Sequence, residues 1–99
     1  MIEKDIIRDA AQMYGCTEED VKSRKRHRQY AEARAVVCYM LYSFIGRSCT
    51  ETATLLNRTH GTVLYFNNRA CDWLNMPRLN PRGAEVIKVL VERYKNKEQ

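Results

Sequence analysis

The sequence predicts an all-α fold, a compact bundle of about six helices, and three observations carry that expectation. Apolar residues recur at spacings of three and four along most of the chain, and two S/T-x-x-D/E boxes of the kind that begin helices lie within it. No segment alternates apolar and polar residues as a half-buried strand does. With 99 residues, 44% of them hydrophobic, the chain can enclose one modest core, so residues 1–99 are read as a single domain. Four glycines and two prolines leave long stretches uninterrupted, which argues against disorder.

Ile2, Ile6, Ala10 and Met13, flanked by Ile7, Ala11 and Tyr14, predict a first helix over about 2–14, stopped by Gly15. Thr17-Glu-Glu-Asp20 reads as a capping box opening a short second helix over about 18–23. Lys22 to Arg28 then holds five basic residues in seven with no apolar member, so it cannot bury a face and is a loop or a frayed helix entrance. Tyr30, Ala33, Val37, Met40 or Leu41, and Phe44 predict a long third helix over about 29–45, ended by Gly46 and forming the spine of the core.

Ser48-Cys-Thr-Glu51 is a second capping box, opening a fourth helix over about 49–56 with Ala53 and Leu56 facing inward. After a break at Asn57-Arg58, Thr59 is the N-cap of a fifth helix. Its apolar stripe is Val63, Phe66, Ala70 and Trp73, with Asn67, Asn68 and Arg69 pointing outward. Residues 76–82 are a connector in which Asn80-Pro81 reads as N-cap and first-turn proline. A sixth helix over about 82–95 buries Val86, Ile87, Leu90 and Tyr94.

Several function classes are excluded or disfavoured. No apolar run approaches the roughly 20 residues that span a bilayer, and Met1-Ile-Glu-Lys-Asp5 lacks the plan of a secretory signal, so a cytoplasmic location and no membrane partner are expected. Cys16, Cys38, Cys49 and Cys71 form no C-x-x-C pair, and neither His27 nor His60 stands at ligand spacing from them, so no metal or cofactor is expected. The thiols read as small buried hydrophobes. No nucleophile, base and orienter occur at usable spacing, and no enzyme activity is expected. The best pair, Cys71 with His60, lies about three turns apart on one helix, too far for proton transfer.

The net charge of +5 is unevenly divided. Residues 1–21 hold two cations against six acids, a balance of −4, while the other 78 residues hold fifteen against six, a balance of +9. Such a molecule attracts a polyanion to one side and is repelled at the other, which favours a single docking face. The short fourth helix, tight polar turn and longer fifth helix match a helix-turn-helix. Arg58, Thr59, His60 and Thr62 then cluster donors and acceptors where a recognition helix presents its first turn to base edges. Gly61 in that turn costs about 1 kcal/mol against alanine, which a close backbone approach to DNA or a crowded helix contact would justify. The basic run is by itself a solvated surface or a targeting signal, but ahead of the spine helix it can hang beside the helix-turn-helix and enter an adjacent minor groove.

These segments together resemble the C-terminal DNA-binding domain of the bacterial replication initiator DnaA, over about residues 7–74. The family's Y-G-x-(S/T)-x-E-D-(L/V) segment and basic loop are matched by Tyr14-Gly-Cys-Thr-Glu-Glu-Asp-Val21 and Ser23-Arg-Lys-Arg-His-Arg28. Its A-R-x-R opening of a long helix is matched by Ala31-Glu-Ala-Arg-Ala35, and its G-G-R-D-H-(S/T)-T-V-L-H signature by Asn57-Arg-Thr-His-Gly-Thr-Val-Leu-Tyr65. Glu32 stands where the family has arginine, Asn57 where it has a glycine pair, and Thr59 and Gly61 where it has Asp and Ser/Thr.

The resemblance implies a TrpR-like helical fold and minor-groove entry by Arg26. It further implies phosphate contacts from Arg24, Arg28 and Arg34, and major-groove reading by Thr59, His60 and Thr62. With Lys25 and Arg58 added from the basic run and the turn, these nine residues are the expected DNA-binding set. No G-x-x-x-x-G-K-(S/T) phosphate loop occurs, so the chain reads as a stand-alone DNA-binding module. It would act at a replication origin or in transcription regulation, associated with the nucleoid. The alternative is an adaptor that kept the fold and lost DNA, docking protein partners through its acidic first helix or the Val86–Tyr94 helix. Glu32, Thr59 and Gly61 favour that alternative.

Overall fold

Six α-helices follow one another in the computed structural model, which describes residues 1–97: α1 (Ile2–Met13), α2 (Glu18–Lys22), α3 (Arg28–Cys38), α4 (Cys49–Leu56), α5 (His60–Asn75) and α6 (Pro81–Tyr94). A single 3₁₀ turn, Pro77–Leu79, precedes α6, and no strand occurs among the described residues. Residues 98 and 99 of the expected single domain lie outside them.

Local chemistry sets most boundaries. Both capping boxes form: Thr17 and Asp20 exchange bonds of 3.1 Å at the start of α2, and Ser48 and Glu51 bonds of 3.0 and 3.2 Å at the start of α4. Each satisfies two backbone N–H groups that the first turn leaves without partners. Asn80 accepts from Gly83 N–H at 3.0 Å ahead of Pro81, as read from the sequence. Helix α1 closes at Gly15, where a φ of +69° lets Cys16 N–H turn back to Ala11 O at 2.9 Å.

The spine differs from a simple α-helix. After Cys38 the chain continues as a π-helix, Tyr39–Ile45, ending at Gly46 with φ +89°. The wider winding shifts the side-chain phase. Met40 and Leu41, alternatives in a 3.6-residue stripe, are therefore both fully buried, while Tyr30 and Phe44 from the same predicted stripe are only partly covered. Helix α3 packs against α1, α2, α5 and α6, and α4 lies against α5.

Helix α6 buries Val86, Ile87, Leu90 and Tyr94, which removes that apolar face from any docking role; its outer face carries Glu85, Lys88, Glu92 and Arg93. Asp9 of α1, 8% exposed, accepts from the Tyr94 hydroxyl and from Arg93 at 3.1 Å, joining the two ends of the chain. Of the four thiols only Cys38 is buried, where burial pushes it up to about 12; Cys16, Cys49 and Cys71 are half-buried, short of the expectation.

Two predicted faces of α5 are corrected. Asn67, expected outside, is buried and accepts a hydrogen bond from Ser43 Oγ at 2.7 Å, so the spine's hydroxyl satisfies a polar group on the core side. Phe66, expected in the core, is half-buried at the edge of a groove.

Candidate nucleic-acid interface

Between α2 and α3 the chain runs through residues 23–27 without helical structure, beginning at Ser23 in an extended conformation. Arg24, Lys25, Arg26, His27 and Arg28 are all exposed, because none can be buried without losing hydration. Arg24, Lys25 and Arg26 make no salt bridge among the described residues, whereas Arg28 pairs with Glu32 one turn ahead at 3.1 Å.

Arg34 behaves differently from the expected phosphate contact. It is 4% exposed, and its Nε and Nη2 donate to the carbonyls of Val21 (2.7 Å), Asp20 (3.0 Å) and Ser23 (2.8 Å). A guanidinium so covered and bonded is an internal anchor rather than a surface cation. Arg58 is partly buried and donates to the carbonyls of Lys22 at 3.2 Å, Asn57 at 3.1 Å and Leu56 at 3.4 Å, and to Ser23 O. Burial lowers both guanidiniums from their ordinary value, with the charge of Arg58 adding to the effect on Arg34 and that of Arg24 to the effect on Arg58. Both nonetheless remain cations at neutral pH.

The turn between α4 and α5 rests on Asn57, whose φ of 56° and ψ of 48° are left-handed. Asparagine adopts this conformation more readily than other residues with a Cβ, so a single Asn57 serves where a glycine would otherwise be needed. It lets Arg58 N–H return to Ala53 O at 2.9 Å and its own N–H reach Thr54 O at 3.2 Å, the Schellman pattern. Thr59 then caps α5: its hydroxyl accepts from Thr62 N–H at 3.3 Å and meets the Thr62 hydroxyl at 3.0 Å. A Cβ built on Gly61 would meet nothing within 4 Å, which removes the crowded-contact explanation for that glycine.

The loop and α5 face each other across an open groove of about 560 Å³. Arg24, Arg26, His27 and Arg28 line one wall, and Thr62, Tyr65, Phe66 and Arg69 the other, with Arg34 and Arg58 between them. A smaller hollow of about 260 Å³ beside it adds Thr59 to Arg24, Arg58 and Thr62. Seven of the nine residues singled out from sequence are thus brought together. Lys25, exposed on the loop, lines neither hollow, and the His60 ring leans back on α4, with Nε2 3.2 Å from Thr50 Oγ1.

Tyr65 and Arg69 were not read as site residues. They lie three and seven positions after Thr62, hence on its helix face, and that spacing was the available signal. Arg69 Nη1 donates to Tyr65 Oη at 3.2 Å, and its guanidinium lies 5.7 Å from the Trp73 ring centre, so the side chain is steered along the groove. No cluster of three metal-ligating residues occurs among the described residues. Cations on two sides of an open cleft, with hydroxyls and an exposed tyrosine, suit a sugar-phosphate strand and base edges rather than bond-breaking chemistry.

A family model described as the bacterial DnaA protein helix-turn-helix matches residues 3–69. The chain belongs to that family. The fold, the α4-turn-α5 unit and the family's DNA-binding character agree with one another. The chromosomal replication initiator protein DnaA of Pseudothermotoga lettingae is 24% identical over 91 residues, covering 92% of this chain and 19% of the relative. The chain therefore spans about a fifth of that protein's length.

Proposed function

We propose that this domain binds duplex DNA with sequence preference. The first turn of α5 enters the major groove, Arg26 enters the neighbouring minor groove, and Arg24 and Arg28 hold the phosphates between them. Thr59 and Thr62 read base edges, while His60, whose ring leans back on α4, stays at the margin of the contact; Lys25 and Arg69 add positive charge alongside. The observation that carries this reading is the shared groove, an open cleft lined by the cationic loop on one side and by Thr62, Tyr65, Phe66 and Arg69 of α5 on the other. Membership of the helix-turn-helix family supports it. Among the described residues no helix is long and apolar enough to cross a membrane.

The domain acts as a regulator at a promoter or a replication origin. Glu32 does not face a phosphate unopposed, because Arg28 neutralises it. Arg26→Ala should lower preference for A·T-rich flanks, where the minor groove is narrow and its negative potential high, while Arg28→Ala should weaken binding to all sequences alike. The reverse pattern exchanges the two roles. No retardation of any duplex by the folded domain at low salt overturns the reading, and capture of a protein partner insensitive to nuclease and to Arg26→Ala replaces it with an adaptor.

A further inference from the structure

The end of α2 is held in an unusual way. The last carbonyls of any α-helix lack partners within the helix. Here each carbonyl from Asp20 to Ser23 accepts from a guanidinium: Arg34 serves Asp20, Val21 and Ser23, and Arg58 serves Lys22 and Ser23. Two like charges meet at one oxygen, an arrangement that the negative end of the α2 dipole and the converging carbonyl oxygens make tolerable. Arg58 also donates to Leu56 and Asn57 at the end of α4, so one side chain spans from the turn before α5 to the residue before Arg24.

We propose that Arg34 and Arg58 form a two-arginine clamp that fixes the direction of the 24–28 loop relative to α5, making minor-groove and major-groove contacts one rigid unit. Both are positioning residues: they act through the loop and leave phosphate neutralisation to Arg24 and Arg28. Lysine carries the charge but not the planar fork, so it cannot serve several carbonyls in the same plane. This inference rests on the duplex-binding reading for its functional consequence, while the clamp itself is a property of the free protein.

Two measurements test it. In the first, salt titrations with fluorescein-labelled duplexes bearing A·T-rich or G·C-rich flanks compare wild type, Arg58→Lys and Arg24→Ala, each checked for native helical circular dichroism. Arg58→Lys should keep the wild-type salt slope while its flank preference falls to within about twofold of unity. Arg24→Ala should keep the preference while the slope becomes shallower by about 0.9, the loss of one phosphate contact. An Arg58→Lys protein with intact flank preference, or with a slope reduced like that of Arg24→Ala, overturns the proposal.

The second measurement needs no variant, so it decides the matter if Arg58→Lys fails to fold. The Arg34 Nε–H resonance of ¹⁵N-labelled wild type should exchange slowly with solvent and keep its shift when duplex is added. Fast exchange in the free protein, or a large shift on adding DNA, refutes the clamp. If wild type binds no duplex at low salt, the functional reading fails while the free-protein measurement still judges the clamp.

Discussion

Gly61→Ala should make the domain more stable and a poorer DNA binder. The position is an exposed residue in the first turn of α5, its φ is not positive, and an added Cβ would meet no atom within 4 Å. Neither packing gain nor clash then enters, and what remains is the conformational freedom that alanine lacks in the unfolded chain. That term is about 0.5–1 kcal/mol, or roughly 2–8 °C in Tm for a domain of this size. In the binding mode proposed above the same methyl would stand where backbone approaches base edges, costing about 1–3 kcal/mol, roughly a 5- to 150-fold loss of affinity. Thermal unfolding by circular dichroism and anisotropy titration on a selected duplex read the two effects. A variant that is more stable and binds equally well would show that Gly61 does not serve the interface. One that is no more stable would refute the local helix argument.

Other perturbations separate the structural parts. Gly83→Ala would bring a Cβ to 2.6 Å from Trp73 Cε3 and 2.8 Å from Asn80 Nδ2, so the crowding outweighs the gain in helix propensity. A net loss of about 1–2 kcal/mol in urea unfolding is expected; unchanged or raised stability would contradict the packing. Burial opposes ionisation of Asp9, but the Tyr94 hydroxyl and Arg93 outweigh it and hold the carboxyl below the usual range. A depressed folded pKa gives stability that is complete above the unfolded value near about 4 and is lost as pH falls through the lower folded value. Asp9→Asn should therefore destabilise at pH 7 and flatten the acid limb of the stability curve; an unchanged limb would remove Asp9 from the account. Glu32→Gln frees Arg28 from its 3.1 Å partner and should tighten DNA binding a few-fold at low salt, an effect that weaker binding would contradict.

What was legible in the sequence was what neighbours in sequence decide. Thr17 with Asp20, Ser48 with Glu51, Asn80 with Pro81, and the glycines at 15 and 46 each act within one turn, and all form as read. The π-helical winding of Tyr39–Ile45 changes which residues share a face, and no local signal announced it. Asn67 turns inward because Ser43, 24 positions earlier, offers a hydroxyl. Arg34 looked like the surface arginines near it, and only the packing of α3 against α2 brings the carbonyls of residues 20, 21 and 23 within its reach. Clustered charge therefore pointed to the groove between the loop and α5, while the distinction between cations facing solvent and cations fastening the loop depended on the tertiary fold.

The most direct test is the dependence of duplex affinity on salt. Arg24, Lys25, Arg26, Arg28 and Arg69 are exposed on the loop and α5, and engaging most of their charge predicts a slope of log K against log salt of about −4. A steep slope near that value, reduced by single substitutions in the loop, is the expected result. Affinity that is undetectable at low salt, or indifferent to salt, would contradict an account in which that groove holds the phosphate backbone.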